Sequence, residues 1–346
     1  MSDSARILDA NLDRVREGLR VLEDIARFAL DDPKLSGRLK DIRHRLVIDK
    51  QTTALLSARD SQGDTGAFLN TESEDRRSTL FDILVANAKR TQESLRVLEE
   101  MGKLLPDRMP FKEIRFEMYE VEKDMASRLL RREKASGIRG LYVIVDGEPD
   151  GERSGLEIAR AAIAGGARVV QLRDKVREKG LLLPVAVALR DLCRQNGVVF
   201  IVNDHVDLAI ACEADGVHVG QKDLPVAETR RLLPINMLIG CSTNNVGEAQ
   251  RAVADGADYV AVGALFPTAS KADIRPATLD VLQDVRRAVD VPVVAIGGIN
   301  HRNIGMPVAC GADAVAVISA VSSAPDPESA ARTLSDVFSP KEVTGG

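Results

Sequence analysis

From Gly140 onward the sequence repeats one unit eight times: a short, continuously apolar run followed by a stretch long enough for a helix in most cases. The runs are LYVIVD, RVVQLRD, VVFIVND, GVHVG, MLIGCS, DYVAVG, PVVAIGG and DAVAVIS, beginning near residues 141, 168, 198, 216, 237, 259, 292 and 313. Strands with no polar face must be buried on both sides, as parallel strands flanked by helices are. Eight such units in about 207 residues fit a closed (β/α)₈ TIM barrel, with an open doubly wound sheet as the other arrangement the pattern allows. The expected fold is therefore α/β, with the barrel occupying residues 138–338.

The first part of the chain follows a different rule. Up to about residue 132 apolar residues recur at spacings of three and four, as in Leu12, Val15, Leu19, Leu22 and Ile25, and β-branched runs are nearly absent. That periodicity predicts an all-helical domain over residues 1–132. The charged stretch Arg131 to Lys134, followed by Ala135, Ser136 and Gly137, reads as the linker. Within the helical part, NLDRVREGLRVLED from Asn11 returns as NAKRTQESLRVLEE from Asn87, and KDIR at Lys40 returns as KEIR at Lys112. A duplicated helical pair, arranged as a pseudo-twofold bundle, is the simplest reading. Repetition of the Leu and Val positions needs only a shared core. Repetition of Asn11, Arg14, Glu17, Arg20 and Glu23 as Asn87, Arg90, Glu93, Arg96 and Glu99 leaves two readings open, a ligand or interdomain role and a structural ion-pair network. Between the repeats, Arg59 to Gly66 reads as a loop whose Gly and Asp content would suit an anion or metal nest.

Composition narrows the function classes. Apolar residues at 45% and charged residues at 29% describe a globular chain, while 3% aromatics and no Trp argue against a stacking platform for single-stranded nucleic acid. A formal charge of −5 gives no general attraction to nucleic acid or to an anionic membrane, so any anion site must be a local pocket. Cys193, Cys212, Cys241 and Cys310 show no C-x-x-C pair and no metal-finger spacing, which fits reduced thiols. With no apolar signal core near the N-terminus and no run of membrane-spanning length, the expected location is cytoplasmic. A homo-oligomer is the one macromolecular partner left open.

In (β/α)₈ barrels the chemistry lies where strands end and βα loops begin. After strand two, Gln171, Arg173 and Lys175 alternate with Leu172 and Asp174, and alternation turns the amide and the two cations to one side. Such a set suits a diphosphate, although a salt-bridged rim would use the same residues. Strand three ends in Asn203, Asp204 and His205, and the turn after strand four carries Asp223. Two carboxylates from neighbouring loops are hard oxygen ligands of the kind that hold Mg²⁺ shared with a substrate phosphate, while either alone would serve as a helix N-cap. His205 and His218 lack a third ligand at metal spacing and read as hydrogen-bonded structural histidines. Strand five exits through Ser242, Thr243 and Asn244, and strand six through a loop carrying Thr268, Ala269, Ser270 and Lys271. Gly297 and Gly298 after strand seven, with Ile318 and Ser319 after strand eight, match the position at which many barrels bind phosphate through backbone amides.

The ordered series LYVIVD, QLRDK, NDHVDLA, GVHVGQKDL, GCSTNN, ADYVAVGALFPTASK, VPVVAIGGIN and ADAVAVISAV resembles the thiamin phosphate synthase family along the whole barrel. The resemblance implies that Gln171, Leu172, Arg173, Asp174, Lys175, Asn203, Ser242 and Lys271 bind a pyrimidine diphosphate. It implies one Mg²⁺ held by Asp204 and Asp223, and a thiazole phosphate bound by Thr268, Ala269, Ser270, Gly298, Ile318 and Ser319. Ser270 stands where the family usually has Thr, and Lys222 where an acidic residue is common. The implied mechanism is dissociative: diphosphate departs, and the thiazole nitrogen captures the pyrimidine methyl cation. Arg173, Lys175 and Lys271 are the expected catalytic cations, neutralising the leaving group together with Mg²⁺. The rival is a thiazole tautomerase-like barrel, which would not need those cations or carboxylates, joined to a helical dimerisation or regulatory domain. The first 132 residues, with DANLDRVREGLRVLEDIARF and RTQESLRVLEE, resemble a helical domain fused to such synthases and linked to phosphorylation of hydroxymethylpyrimidine phosphate. That implies ATP as a further cofactor, although no P-loop is visible.

Overall fold

The computed structural model describes residues 2–46, 52–59, 77–105, 109–146, 153–268 and 275–339. The chain divides into two compact units, Met1–Leu130 and Arg131–Gly346.

The regular elements of the first unit, among its described residues, are helices: α1 (Ser2–Asp24), α2 (Pro33–Arg45), α3 (Thr52–Ala58), α4 (Leu80–Met101) and α5 (Phe111–Ala135), the last running past Leu130. Local chemistry sets the starts. Asp32 accepts hydrogen bonds from the Lys34 and Leu35 amides with Pro33 at the first helical position, and Thr79 with Asp82 forms a reciprocal capping box on α4. α1 and α4, the duplicated helices, pack together, with Leu12, Val15, Leu19 and Leu22 of one and Leu84, Leu95 and Leu98 of the other in a shared buried core. Gly18 permits their close approach: a Cβ there would lie 2.3 Å from Thr91 Oγ1 and 3.2 Å from the Asn87 carbonyl oxygen.

The repeated polar residues largely resolve into a structural set. Asn11 and Asn87 each donate to the carbonyl four residues earlier, both at 2.8 Å. Glu23 pairs with Arg43 at 3.2 Å and Glu99 with Arg115 at 3.0 Å, so the second motif of each repeat answers the first. Arg20 and Arg96 reach Glu23 and Glu99 at 3.8 and 2.9 Å. Arg14, Glu17, Arg90 and Glu93 are exposed. Of the expected nest, Arg59 is paired with Asp9 and Asp13, and residues 60–66 lie outside the described residues.

The expected linker is not a loop. Residues 131–135 continue α5, because Arg, Glu, Lys and Ala are good helix formers and nothing interrupts the helix before Ser136 and Gly137. The Gly137 amide closes the end onto the Lys134 carbonyl at 2.9 Å.

The second unit is a closed barrel of eight parallel strands in sequence order: β1 (Gly140–Val145), β2 (Val169–Leu172), β3 (Val199–Asn203), β4 (Gly216–Val219), β5 (Leu238–Thr243), β6 (Tyr259–Val262), β7 (Val293–Ile296) and β8 (Ala314–Val317). β1 pairs with β8, Leu141 beside Val315, which closes the sheet and rules out the open arrangement. Successive side chains alternate between two buried layers. Val143, Val145, Val170, Leu172, Phe200 and Val202 belong to the layer beneath the helices. Tyr142, Ile144, Val169, Ile201, Leu238, Tyr259 and Ala316 fill the barrel interior. This parity decides which residues reach the rim.

Candidate active site

Strand register puts the expected binding residues on the interior face. Gln171 lies beside Ile144 and Ile201, and Asn203 beside His218, all near the C-terminal ends of their strands. Gln171, Asn203 and His218 are buried, while Arg173 and Ser242 are half-buried and Lys175 is exposed at the rim. Leu172 is the exception. Its side chain is buried in the helix-facing layer, so parity leaves it only a backbone contact with any ligand in the barrel mouth. Asp174 is likewise turned aside, its carboxylate accepting the Val176 and Arg177 amides at 2.8 and 2.9 Å.

Three charges converge beyond β2, β3 and β4. Lys175 Nζ lies 3.8 Å from Asp204 Oδ2, and the Asp223 carboxyl is near enough to act on that of Asp204. Asp223 is fixed by the Gly220 amide, which donates to Oδ2 at 2.7 Å. Burial first, and the neighbouring Asp223 second, push the Asp204 carboxyl above its ordinary value, with Lys175 acting the other way. Two adjoining carboxylates that disfavour each other's charge form a donor set that a hard divalent cation relieves, so Mg²⁺ fits these residues. Among the described residues no cluster of three or more His, Cys, Asp or Glu could hold a metal.

A chain of polar groups crosses the interior below this rim. Gln171 Nε2 lies 2.7 Å from the Tyr142 hydroxyl, which lies 3.1 Å from the Tyr259 hydroxyl. Tyr259 meets His218 Nδ1 at 3.1 Å, and His218 Nε2 meets Ser242 Oγ at 2.9 Å. His218 is thus a hydrogen-bonded interior histidine, as expected. The two tyrosines were missed from sequence. Their signal was composition, since two of only three tyrosines fall within the largely aliphatic runs read as strands.

The loop after β6 is held at both ends. Asn244 Nδ2 donates to the Gly263 and Arg275 carbonyls at 2.6 and 2.8 Å, and Arg275 pairs with buried Glu248 at 2.6 Å. Burial alone would raise the Glu248 carboxyl, but the hydrogen bonds from Arg275 and the Asn244 amide outweigh it and hold the group below its ordinary value. Thr268 is described; Ala269, Ser270 and Lys271 lie outside the described residues. The strand-seven glycines serve first to let this loop approach. A Cβ on Gly297 would lie 2.5 Å from Ala264, and one on Gly298, at a φ of +65°, would lie 2.5 Å from the Pro267 carbonyl oxygen. Ile318 borders the interior, and exposed Ser319 begins the short helix after β8.

Comparison with known proteins adds two family matches. Residues 141–321 match the model described as thiamine monophosphate synthase, and residues 6–124 match the one described as the ThiD2 family. A thiamine-phosphate synthase of Nostoc sp. strain PCC 7120 is 41% identical over 328 residues, covering 93% of this chain and 90% of its own length. One of Gloeobacter violaceus is 42% identical over 324 residues, covering 93% of both chains. The solved structure of a thiamine phosphate pyrophosphorylase from Pyrococcus furiosus is 37% identical with a TM-score of 0.55, over 59% of this chain and 96% of that one.

Proposed function

The chain belongs to the thiamine monophosphate synthase family, transferases of thiamine biosynthesis, and from that premise we propose that its barrel joins a pyrimidine methyl diphosphate to a thiazole phosphate, with or without a carboxyl group, giving thiamin phosphate and diphosphate. The observation that carries this reading is the meeting of Lys175, Asp204 and Asp223 at one rim, above an interior lined by Gln171, Asn203 and Ser242. Asp204 and Asp223 would hold one Mg²⁺, which when bound supplies positive charge to the departing diphosphate. Arg173 and Lys175 approach that diphosphate from β2, and Lys271 from the loop after β6. Asn203 and Ser242 orient the pyrimidine end. Thr268, Ala269, Ser270, Gly298, Ile318 and Ser319 take the thiazole phosphate. Because the leaving group departs before the thiazole nitrogen attacks, the residues' work is to neutralise charge and keep water from the cation. No general base is required.

The test is replacement of Asp204 by Ala in the full chain, assayed for thiamin phosphate with both substrates and Mg²⁺. Loss of coupling is expected; product formation at the wild-type rate would overturn the assignment. A wild-type protein that isomerises the thiazole phosphate but never couples it would establish the tautomerase reading instead.

The second family match supports a further activity for residues 1–132, phosphorylation of hydroxymethylpyrimidine phosphate with ATP, against a purely regulatory or dimerising role. Four free thiols support a cytoplasmic enzyme. No helix among the described residues is long and apolar enough to cross a membrane.

A further inference from the structure

The interior chain of polar groups has a direction, and the direction follows from counting protons. A phenol carries one. Tyr142 accepts from the Gln171 amide nitrogen at 2.7 Å, and the arrangement that leaves neither buried phenol proton unpaired is the one in which Tyr142 donates to the Tyr259 oxygen at 3.1 Å. Tyr259 then gives its proton to Nδ1 of His218, which must be bare, and the imidazole carries its proton on Nε2, facing Ser242 Oγ at 2.9 Å. Ser242 accepts that proton and keeps its own hydrogen for a partner at the rim. At the other end, Gln171 keeps its carbonyl oxygen and second N–H for the same purpose. Burial pushes both phenols above their usual range, so each brings its proton to the chain at physiological pH.

Space is reserved for this arrangement. Gly240 lies beneath it, and a Cβ there would fall 2.0 Å from Tyr259 Cζ and 2.5 Å from His218 Nδ1. The residues come from β1, β2, β4, β5 and β6, so only the closed barrel assembles them.

We propose that Tyr142, Tyr259 and His218 are positioning residues that lock His218 as the Nε2–H tautomer and so present Ser242 as a donor and Gln171 as a paired acceptor and donor. That pattern complements a ligand edge with a ring nitrogen acceptor and an adjacent amino donor, as an aminopyrimidine has. Reversing every bond would instead leave Ser242 an acceptor and Gln171 two donors, so that the amino group would have to face Ser242 and the ring nitrogen Gln171. The ligand assignment rests on the function proposed above; the tautomer does not.

The full-length protein carries only four histidines, so ¹⁵N-resolved NMR of histidine-labelled enzyme without substrate reads the tautomer directly. A protonated Nε2 with a bare Nδ1 on His218 is expected. The Nδ1–H tautomer or an imidazolium overturns the proposal, even in an enzyme that couples normally. Tyr259→Phe breaks the chain at its centre while keeping the ring. It should raise KM for the pyrimidine diphosphate about tenfold, the loss of one oriented hydrogen bond, with KM for the thiazole phosphate unchanged. Equal changes in both KM values, or none, would assign the tyrosines to packing alone. A wild-type protein with the expected tautomer but no coupling activity would refute the proposed function and leave the direction of the chain standing.

Discussion

Asp204 has a positive φ of 59°, a backbone region that Asp and Asn enter more readily than most side chains. Had β3 simply continued past Asn203, parity would have sent Asp204 toward the helices. The left-handed turn instead brings its carboxylate to Asp223 and Lys175. Asp204→Asn should therefore keep the backbone and the fold while removing the charge. Its expected signature is a fall of about 10²- to 10³-fold in kcat/KM with a melting temperature near that of the wild type. Gly18 makes the opposite kind of demand. In an open helix Gly→Ala stabilises by about 1 kcal/mol, but here the methyl would meet Thr91 Oγ1 and the Asn87 carbonyl. Gly18→Val should destabilise the first unit by about 1–3 kcal/mol, measured by denaturant unfolding followed by circular dichroism. Unchanged stability would mean that α1 and α4 do not approach as closely as described.

Strands and loops differ in how much of them could be read beforehand. All eight strands start within about a residue or two of the expected positions, because a doubly buried parallel strand is an uninterrupted apolar run with a two-residue period. The same period turned Gln171, Arg173 and Lys175 to one side, and the register of the finished barrel sets Gln171, Asn203 and Ser242 on the interior face. It also argues against a side-chain role for Leu172, which only family resemblance had suggested. What stayed hidden depends on closure. Tyr142 and Tyr259 are 117 residues apart and meet only inside the finished barrel. Arg275 and Glu248 are 27 residues apart and pair only once the loop after β6 has folded back, and no local spacing announces either pair. Arg275→Ala should leave Glu248 without its main partner and loosen both ends of the segment from Gly263 to Ala277. We expect KM for the thiazole phosphate to rise about tenfold and KM for the pyrimidine diphosphate to stay within twofold. Steady-state kinetics with each substrate varied in turn would show whether the change is confined to the thiazole.

Taken whole, the molecule carries two units with separate apolar cores, one built from a duplicated helical pair and the other from eight strands. The proposed sequence of reactions makes a simple demand on the intact chain. Supplied with hydroxymethylpyrimidine phosphate, ATP, Mg²⁺ and the thiazole phosphate, but no pyrimidine diphosphate, it should form thiamin phosphate. Product that appears only when the diphosphate is added would confine catalysis to the barrel and leave the helical unit a structural or regulatory role. The pairing of β1 with β8 has a consequence for synthesis. A ribosome makes the strands in order, so until Ala314–Val317 has emerged the growing sheet keeps two unsatisfied margins, open to pairing with other chains. Chains that stall short of those last four residues should therefore be found in aggregates or on chaperones, however many of the site's side chains they already contain.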